Sequence, residues 1–142
     1  MEKTLVLLKP DALRRRLVGQ VISRFEQKGL AIRALKMMRI SPALAKKHYA
    51  ALLDRPYYPE IEKYITGGPI LAMILEGDRA VGVVRTMIGA TDGAEALPGT
   101  IRGDYSLSTR ANIVHASDST ASAKREIALF FPSKKELFEI IY

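Results

Sequence analysis

The chain has 142 residues, 48% of them hydrophobic, which suits one compact domain over residues 1–142 with a sizeable core and argues against disorder. It has no cysteine, so disulfides, thiolate chemistry and cysteine-based zinc sites are excluded. Its formal charge of +7, from 22 Lys and Arg against 15 Asp and Glu, favours polyanionic partners such as nucleic acid, a membrane surface or small phosphorylated molecules.

The opening MEKTLVLLKPDALRRR lacks the form of a signal peptide, and no apolar stretch approaches the roughly 18–20 residues of a membrane-spanning helix. A cytoplasmic location is the simplest expectation. TLVLLKP (Thr4 to Pro10) reads as a buried strand closed by proline. Val18, Val21, Ile22 and Phe25 then recur at helical spacing, with Gly29 as a C-terminal cap. LAIRALKMMRI (Leu30 to Ile40) alternates in part and predicts a second strand. Ser41 and Pro42 form an N-cap and first-turn pair for a helix to about Leu53, and DRPYYPE breaks it.

A short helix from Pro59 to Ile65 precedes Gly67 and Gly68. PILAMILEG (Pro69 to Gly77) is apolar on both faces, as a central strand requires. Asp78 is positioned to cap a helix with Val81, Val84 and Ile88 on its apolar stripe. From Gly89 to Ala111 no helix or strand period shows, and so long a loop in a compact domain points to function. NIVHAS is the fourth strand, followed by a helix from Ser119 to Phe131 carrying Ile127, Phe130 and Phe131. This order predicts an α/β (α+β) sandwich of the ferredoxin-like βαββαβ type, with helices packed on a four-stranded antiparallel sheet.

The glycine-rich phosphate cradles GxxxxGK[ST] and GxGxxG are absent, as are the protein-kinase motifs HRD and DFG. The two histidines lie far apart in sequence, which argues against a zinc site held by the protein. Ser117 and Asp118 follow His115 too closely for a Ser-His-Asp triad. What remains is a histidine used directly, with phosphate held by arginine and lysine. His115, at a strand end, is the candidate nucleophile, since an imidazole with an ordinary pKa of about 6.5 is mostly neutral at pH 7. Such a ring needs its second nitrogen held, and Glu126 on the next helix can hold it. Lys9, kept extended by Pro10, reaches toward a phosphate or a ribose. Arg85, four residues from Val81, points toward the protein, and Arg102 lies in the long loop. Tyr57 and Tyr58 offer an aromatic face for a base, and Arg14 to Arg16 read as a solvated basic edge.

With these residues assembled, the sequence resembles the nucleoside diphosphate kinase family. NIVHASDS matches the family's N-x-x-H-[GA]-S-D-S motif throughout. LLKPDALRR, RFEQKGL, HYAALLDRPYY, GGPILAMILEG, GATDGAEALPGTIRGDY and SAKREIALFF extend the resemblance over essentially the whole chain. The resemblance implies transfer of a γ-phosphoryl group from a nucleoside triphosphate to a diphosphate through a phosphohistidine at His115. Glu126 then bonds the far ring nitrogen, supported by Ser117. Lys9 and Asn112 contact the sugar hydroxyls, and Lys9 also reaches the terminal phosphate, with Tyr49 beside it. Arg85, Thr91 and Arg102 hold the phosphates, and Tyr57 stacks on the base. Mg²⁺ rides on the phosphates, with a water-mediated contact near Asp118. The long loop is implied to pack between subunits of a homo-oligomer, a hexamer first and a tetramer next, with neither a membrane nor a specific nucleic acid as partner.

Two other readings compete. A nucleic-acid-binding ferredoxin-like domain would carry aromatics on its central strands, and TLVLLKP and NIVHAS have none. A phosphohistidine signalling carrier would pass its phosphate to a protein and not to a diphosphate.

Overall fold

The computed structural model describes residues 1–141. Four strands form one sheet in the order β2-β3-β1-β4: β1 (Glu2–Leu8), β2 (Ala31–Met38), β3 (Ile70–Gly77) and β4 (Val114–Ala116). Every neighbouring pair is antiparallel. Around the sheet lie α1 (Pro10–Arg14), α2 (Val18–Lys28), α3 (Pro42–His48), α4 (Tyr58–Ile65), α5 (Ala80–Ile88), α6 (Ile101–Tyr105) and α7 (Thr120–Phe130). The ferredoxin-like arrangement expected from the order of elements is present. No helix among the described residues is long and apolar enough to cross a membrane.

Strand alternation divides the core into two layers, because successive side chains point to opposite faces of a sheet. Val6, Leu8, Met73, Leu75, Val114 and Ala116 face one layer, where they meet Val21 and Phe25 of α2 and Val84 and Ile88 of α5. Leu5, Leu7, Ala72 and Ile74 face the other, against Ala45 of α3, Ile65 of α4 and Phe130 of α7. Strand β3 is buried along its whole length, as its two-sided apolar sequence predicts. His115 sits between Val114 and Ala116 and pairs with Leu7, so its ring lies on the α3–α7 face. That parity decides which helices can reach it.

Helix ends follow local chemistry in most places. The Ser41 hydroxyl accepts from Leu44 N at 3.1 Å, Ser119 does the same for Ser122 at 3.0 Å, and α2 closes on Gly29 at φ 102°. Four expectations need correction. Pro10 does not merely close a strand: it opens α1, its fixed φ suiting the first helical turn. The helix from Pro42 ends at His48, and a 3₁₀ turn at Ala50–Leu52 follows. Asp78 does not cap α5. Arg79 holds the cap position at φ 52°, and Glu2 from β1 accepts from Val81 N at 3.1 Å instead. Strand β4 is shorter than NIVHAS, because Ile113 turns the chain.

The long segment also contains a helix. Thr100 caps α6 by accepting from Gly103 N at 3.0 Å. Five residues are too few to show a helical period, which is why the sequence hides it. Gly103 is required there by packing: a Cβ would stand 1.9 Å from the Leu97 carbonyl oxygen.

Ile113 has φ 75°, a costly backbone conformation for a β-branched residue. Val114 N bonds Asn112 O across it at 2.8 Å, closing a γ-turn of the strained hand. Both peptide groups of Ile113 are held from outside the turn. Its N–H donates to the buried Asp11 carboxylate at 3.1 Å, and its carbonyl accepts from Lys9 N at 2.8 Å. Asp11 also accepts from the Tyr64 hydroxyl. Asp11→Ala strands the Ile113 N–H in the core and should lower unfolding free energy by about 1–3 kcal/mol. Urea denaturation measures this, and an unchanged midpoint would contradict it.

Candidate active site

Residues from eight parts of the chain converge on a cleft of about 560 Å³ lined by Lys9, Tyr49, Leu52, Tyr57, Ile61, Tyr64, Arg85, Thr91, Arg102, Thr109, Arg110, Asn112 and His115. Eight of these (Lys9, Tyr49, Tyr57, Arg85, Thr91, Arg102, Asn112 and His115) are residues that the sequence singles out. Glu126 and Ser117 stand behind the histidine, outside the cleft lining.

The His115 ring is fixed from one side. Its Nε2 lies 3.2 Å from both oxygens of Glu126, and the Ser117 hydroxyl donates to Glu126 Oε1 at 2.6 Å. A carboxylate can only accept, so it selects the tautomer with the proton on Nε2 and leaves the lone pair on Nδ1. Nδ1 has no hydrogen-bond partner among the described residues, and the ring lines the cleft. Burial works against charge on Glu126, but its hydrogen bond with His115, the attraction of that ring and the Ser117 bond outweigh it. The carboxyl is held down at about 2 and is ionised at neutral pH.

His48 stands beside this pair, which the spacing in sequence concealed. Its ring centroid is 4.7 Å from that of His115 at 81°, and its Nδ1 is 3.6 Å from Glu126 Oε2. The two histidines are therefore neighbours, contrary to the expectation that their separation along the chain excludes a shared site. Burial, reinforced by the nearby His115, lowers His48 to about 3, so the ring is neutral. Nothing around KKHYA in the chain signals this contact; it exists only once α3 and α7 pack on the same face.

The cationic side of the cleft is built more rigidly than its composition suggests. Arg102 is 4% exposed, and its guanidinium donates to the carbonyls of Gly89 at 3.0 Å, Asn112 at 3.3 Å and Val114 at 2.6 Å. Three of its five N–H groups thus tie the long loop to β4, leaving two for the cleft. Burial, then repulsion from Arg85, pulls its pKa down to about 10. Arg85 donates to Ala116 O at 3.3 Å and faces inward, as its helical position predicts. Lys9 donates to Asn112 Oδ1 at 2.7 Å, while the Asn112 amide donates to Thr91 O at 2.8 Å. Burial, then the Arg102 charge, lowers Lys9 to about 8.

At the mouth, Tyr57 is 44% exposed and lines the cleft beside Leu52 and Ile61, whereas Tyr58 is buried in the core. Arg110 and Tyr64 line the cleft without having been singled out in the sequence. The position of Arg110, two residues before Asn112, was the one signal available in sequence; the structure pairs it with Glu60. Arg14 to Arg16 are exposed, as a basic edge should be. Asp118 is exposed as well. Among the described residues the only cluster of three metal-ligating side chains is His48, His115 and Glu126. With two nitrogens to one carboxylate, it does not suit a hard cation such as Mg²⁺, which prefers oxygen and retains water.

An imidazole aimed into a cleft lined by three arginines and a lysine is equipped to attack phosphorus and to stabilise the charge that develops. Comparison with known proteins agrees. The family profile described as nucleoside diphosphate kinase matches residues 2–136. A nucleoside diphosphate kinase of Staphylothermus marinus is 58% identical over 130 residues, covering 92% of this chain and 92% of that protein. One from Thermoplasma volcanium is 54% identical over 142 residues, covering 100% of this chain and 96% of that protein. Among solved structures, the halophilic nucleoside diphosphate kinase from Halobacterium salinarum in complex with CDP superposes with a TM-score of 0.97 at 43% identity, covering 99% of this chain and 93% of that one. The chain belongs to the nucleoside diphosphate kinase family.

Proposed function

We propose that this chain, acting as one domain over residues 1–142, moves the γ-phosphoryl group of a nucleoside triphosphate to a nucleoside diphosphate through a phosphohistidine at His115. The observation that carries this is the contact of His115 Nε2 with both Glu126 oxygens at 3.2 Å, which frees Nδ1 on the cleft side. Nδ1 attacks the γ-phosphorus, an N–P bond forms, and the bond to the bridging oxygen breaks, releasing the diphosphate. A second diphosphate then enters the same cleft, its terminal oxygen attacks phosphorus, and the N–P bond breaks. Glu126 stabilises the positive charge the ring acquires at each transfer, and Ser117 keeps that carboxylate oriented.

Arg85, Arg102 and Thr91 hold the phosphates in this reading, Lys9 and Asn112 the sugar hydroxyls, Lys9 also reaching the terminal phosphate, and Tyr49 flanks Lys9. Phosphoryl transfer depends mainly on positioning and charge stabilisation, which these residues supply. Mg²⁺ on the nucleotide phosphates neutralises their charge when bound, and Asp118 is assigned a contact through its water. Tyr57 stacks on the base, a mode that tolerates all bases because each has a π-face. Homo-oligomers, hexamer before tetramer, belong to the same proposal; the exposed Leu35 and Met37 on the edge strand β2 support it. The cytoplasm is the location we assign.

Intact mass spectrometry after mixing with Mg-ATP tests the reading. One phosphoryl adduct is expected, absent in His115→Ala, and lost on addition of GDP with GTP appearing. An adduct that ignores GDP would favour a signalling carrier, and no adduct on folded protein would overturn the proposal. Glu126→Gln keeps the shape but removes the charge facing Nε2, and should lower kcat by about 10²-fold or more; an unchanged kcat would count against the role of Glu126.

The pH dependence follows from Lys9. Its pKa is lowered from 10.5 to about 8 by burial, so the charged form that binds phosphate is lost as pH rises through about 8. The value of kcat/KM for the nucleotide should then fall about tenfold per pH unit above that point, since it reports groups of the free enzyme. Lys9→Arg, which stays charged, should lose this alkaline limb whatever its absolute rate. An identical limb in both proteins would contradict the assignment.

A further inference from the structure

Buried polar atoms almost always find a hydrogen-bond partner, so those that do not need a reason. The His48 side chain is 1% exposed, and neither of its ring nitrogens makes a hydrogen bond. Its Nδ1 is 3.6 Å from Glu126 Oε2, and His115 Nε2 is 3.2 Å from the same oxygen. One ligating atom from each of the three residues lies within 4.8 Å of the other two. Glu126 Oε1 is occupied by Ser117, which leaves Oε2 turned to the two rings; the half-exposed Arg125 Nη2 is 3.8 Å from it.

Two imidazole nitrogens and a carboxylate oxygen form a donor set that Zn²⁺ takes, with bonds of about 2.0–2.2 Å and a fourth position left open. Tetrahedral bonds of that length set neighbouring donors about 3.4 Å apart, between the two separations measured here. The oxygen-seeking Mg²⁺ does not compete for such a site.

We propose that His48 Nδ1, His115 Nε2 and Glu126 Oε2 form a site for a borderline divalent transition metal, best suited to Zn²⁺, whose occupancy prevents phosphorylation of His115. The metal takes the Nε2 lone pair. The single proton of the neutral ring then sits on Nδ1, which no longer has a lone pair to offer phosphorus; no proton is gained or lost overall. The metal also separates Glu126 from the ring it orients. The inhibitory half of the proposal rests on His115 being the nucleophile, whereas the binding half does not.

The test uses untagged, metal-free protein and titrates it with Co²⁺, whose four-coordinate complexes absorb strongly in the visible. One equivalent should produce that band, one equivalent of Zn²⁺ should erase it, and His48→Phe, which keeps an aromatic ring but no ligand, should lose it. No band, or an equal band in His48→Phe, overturns the site. Should His48→Phe fail to fold, ¹⁵N resonances of the wild-type imidazoles decide: Zn²⁺ must shift His48 Nδ1 and His115 Nε2, and unmoved signals overturn the proposal. Zn²⁺-loaded wild type should gain no phosphoryl adduct from Mg-ATP until EDTA is added, and normal adduct formation overturns the inhibitory half. If the metal-free protein itself forms no adduct, the reading of His115 fails while the cobalt band still judges the site.

Discussion

A single buried carboxylate organises the centre of this molecule. Glu126 receives the Ser117 hydroxyl on one oxygen and the His115 ring on both, with His48 Nδ1 at 3.6 Å from the second. A buried anion is costly unless it is paired and hydrogen-bonded, and this one is both. Its charge dictates which nitrogen of His115 keeps the proton, and so which nitrogen is left with a lone pair toward the cleft. The fold exists around that contact: β4 must present His115 on the α3–α7 face, and α7 must carry Glu126 on its buried side.

The second constraint is backbone strain, held in place by side chains. Ile113 adopts φ 75° immediately after Asn112 and two residues before His115. Asp11 and Lys9 N hold its peptide groups, and Arg102 grips the carbonyls on either side, at Asn112 and Val114. The turn lets Asn112 face Lys9 while the next residues return to the sheet. Arg102 accordingly acts as a strut as well as the phosphate ligand we propose, with most of its hydrogen-bonding capacity spent on the protein. An arginine so anchored cannot swing with substrate, which suits a reaction governed by fixed charge.

Much of this was legible in sequence. The apolar run of Leu5 to Leu8, the cap at Ser41 and the uninterrupted apolar run of β3 are local signals, and each appears where expected. The histidine motif is contiguous and Glu126 follows it by only 11 residues, so the central pair lies within one strand–helix unit. What sequence could not reveal depends on long-range packing. His48 meets His115 only because α3 and α7 share a face. The Asp11 carboxylate reaches Ile113 across 102 residues, and no motif marks it. The short helix α6 was hidden for a different reason, since five residues leave no period and Gly103 is set by the approach of the Leu97 carbonyl. Arg79 at the cap position was equally unforeseen, as was Glu2 reaching from β1 to accept from Val81 N.

The central claim is that Glu126 assigns the reactive nitrogen. Solution ³¹P NMR of the phosphoenzyme, referenced to the two isomeric phosphohistidines, tests it most directly. Phosphate on Nδ1, with Nε2 still bonded to Glu126, is the result this geometry predicts. Phosphate on Nε2 would mean that the ring turns over during the reaction, and that the contact with Glu126 does not direct the chemistry.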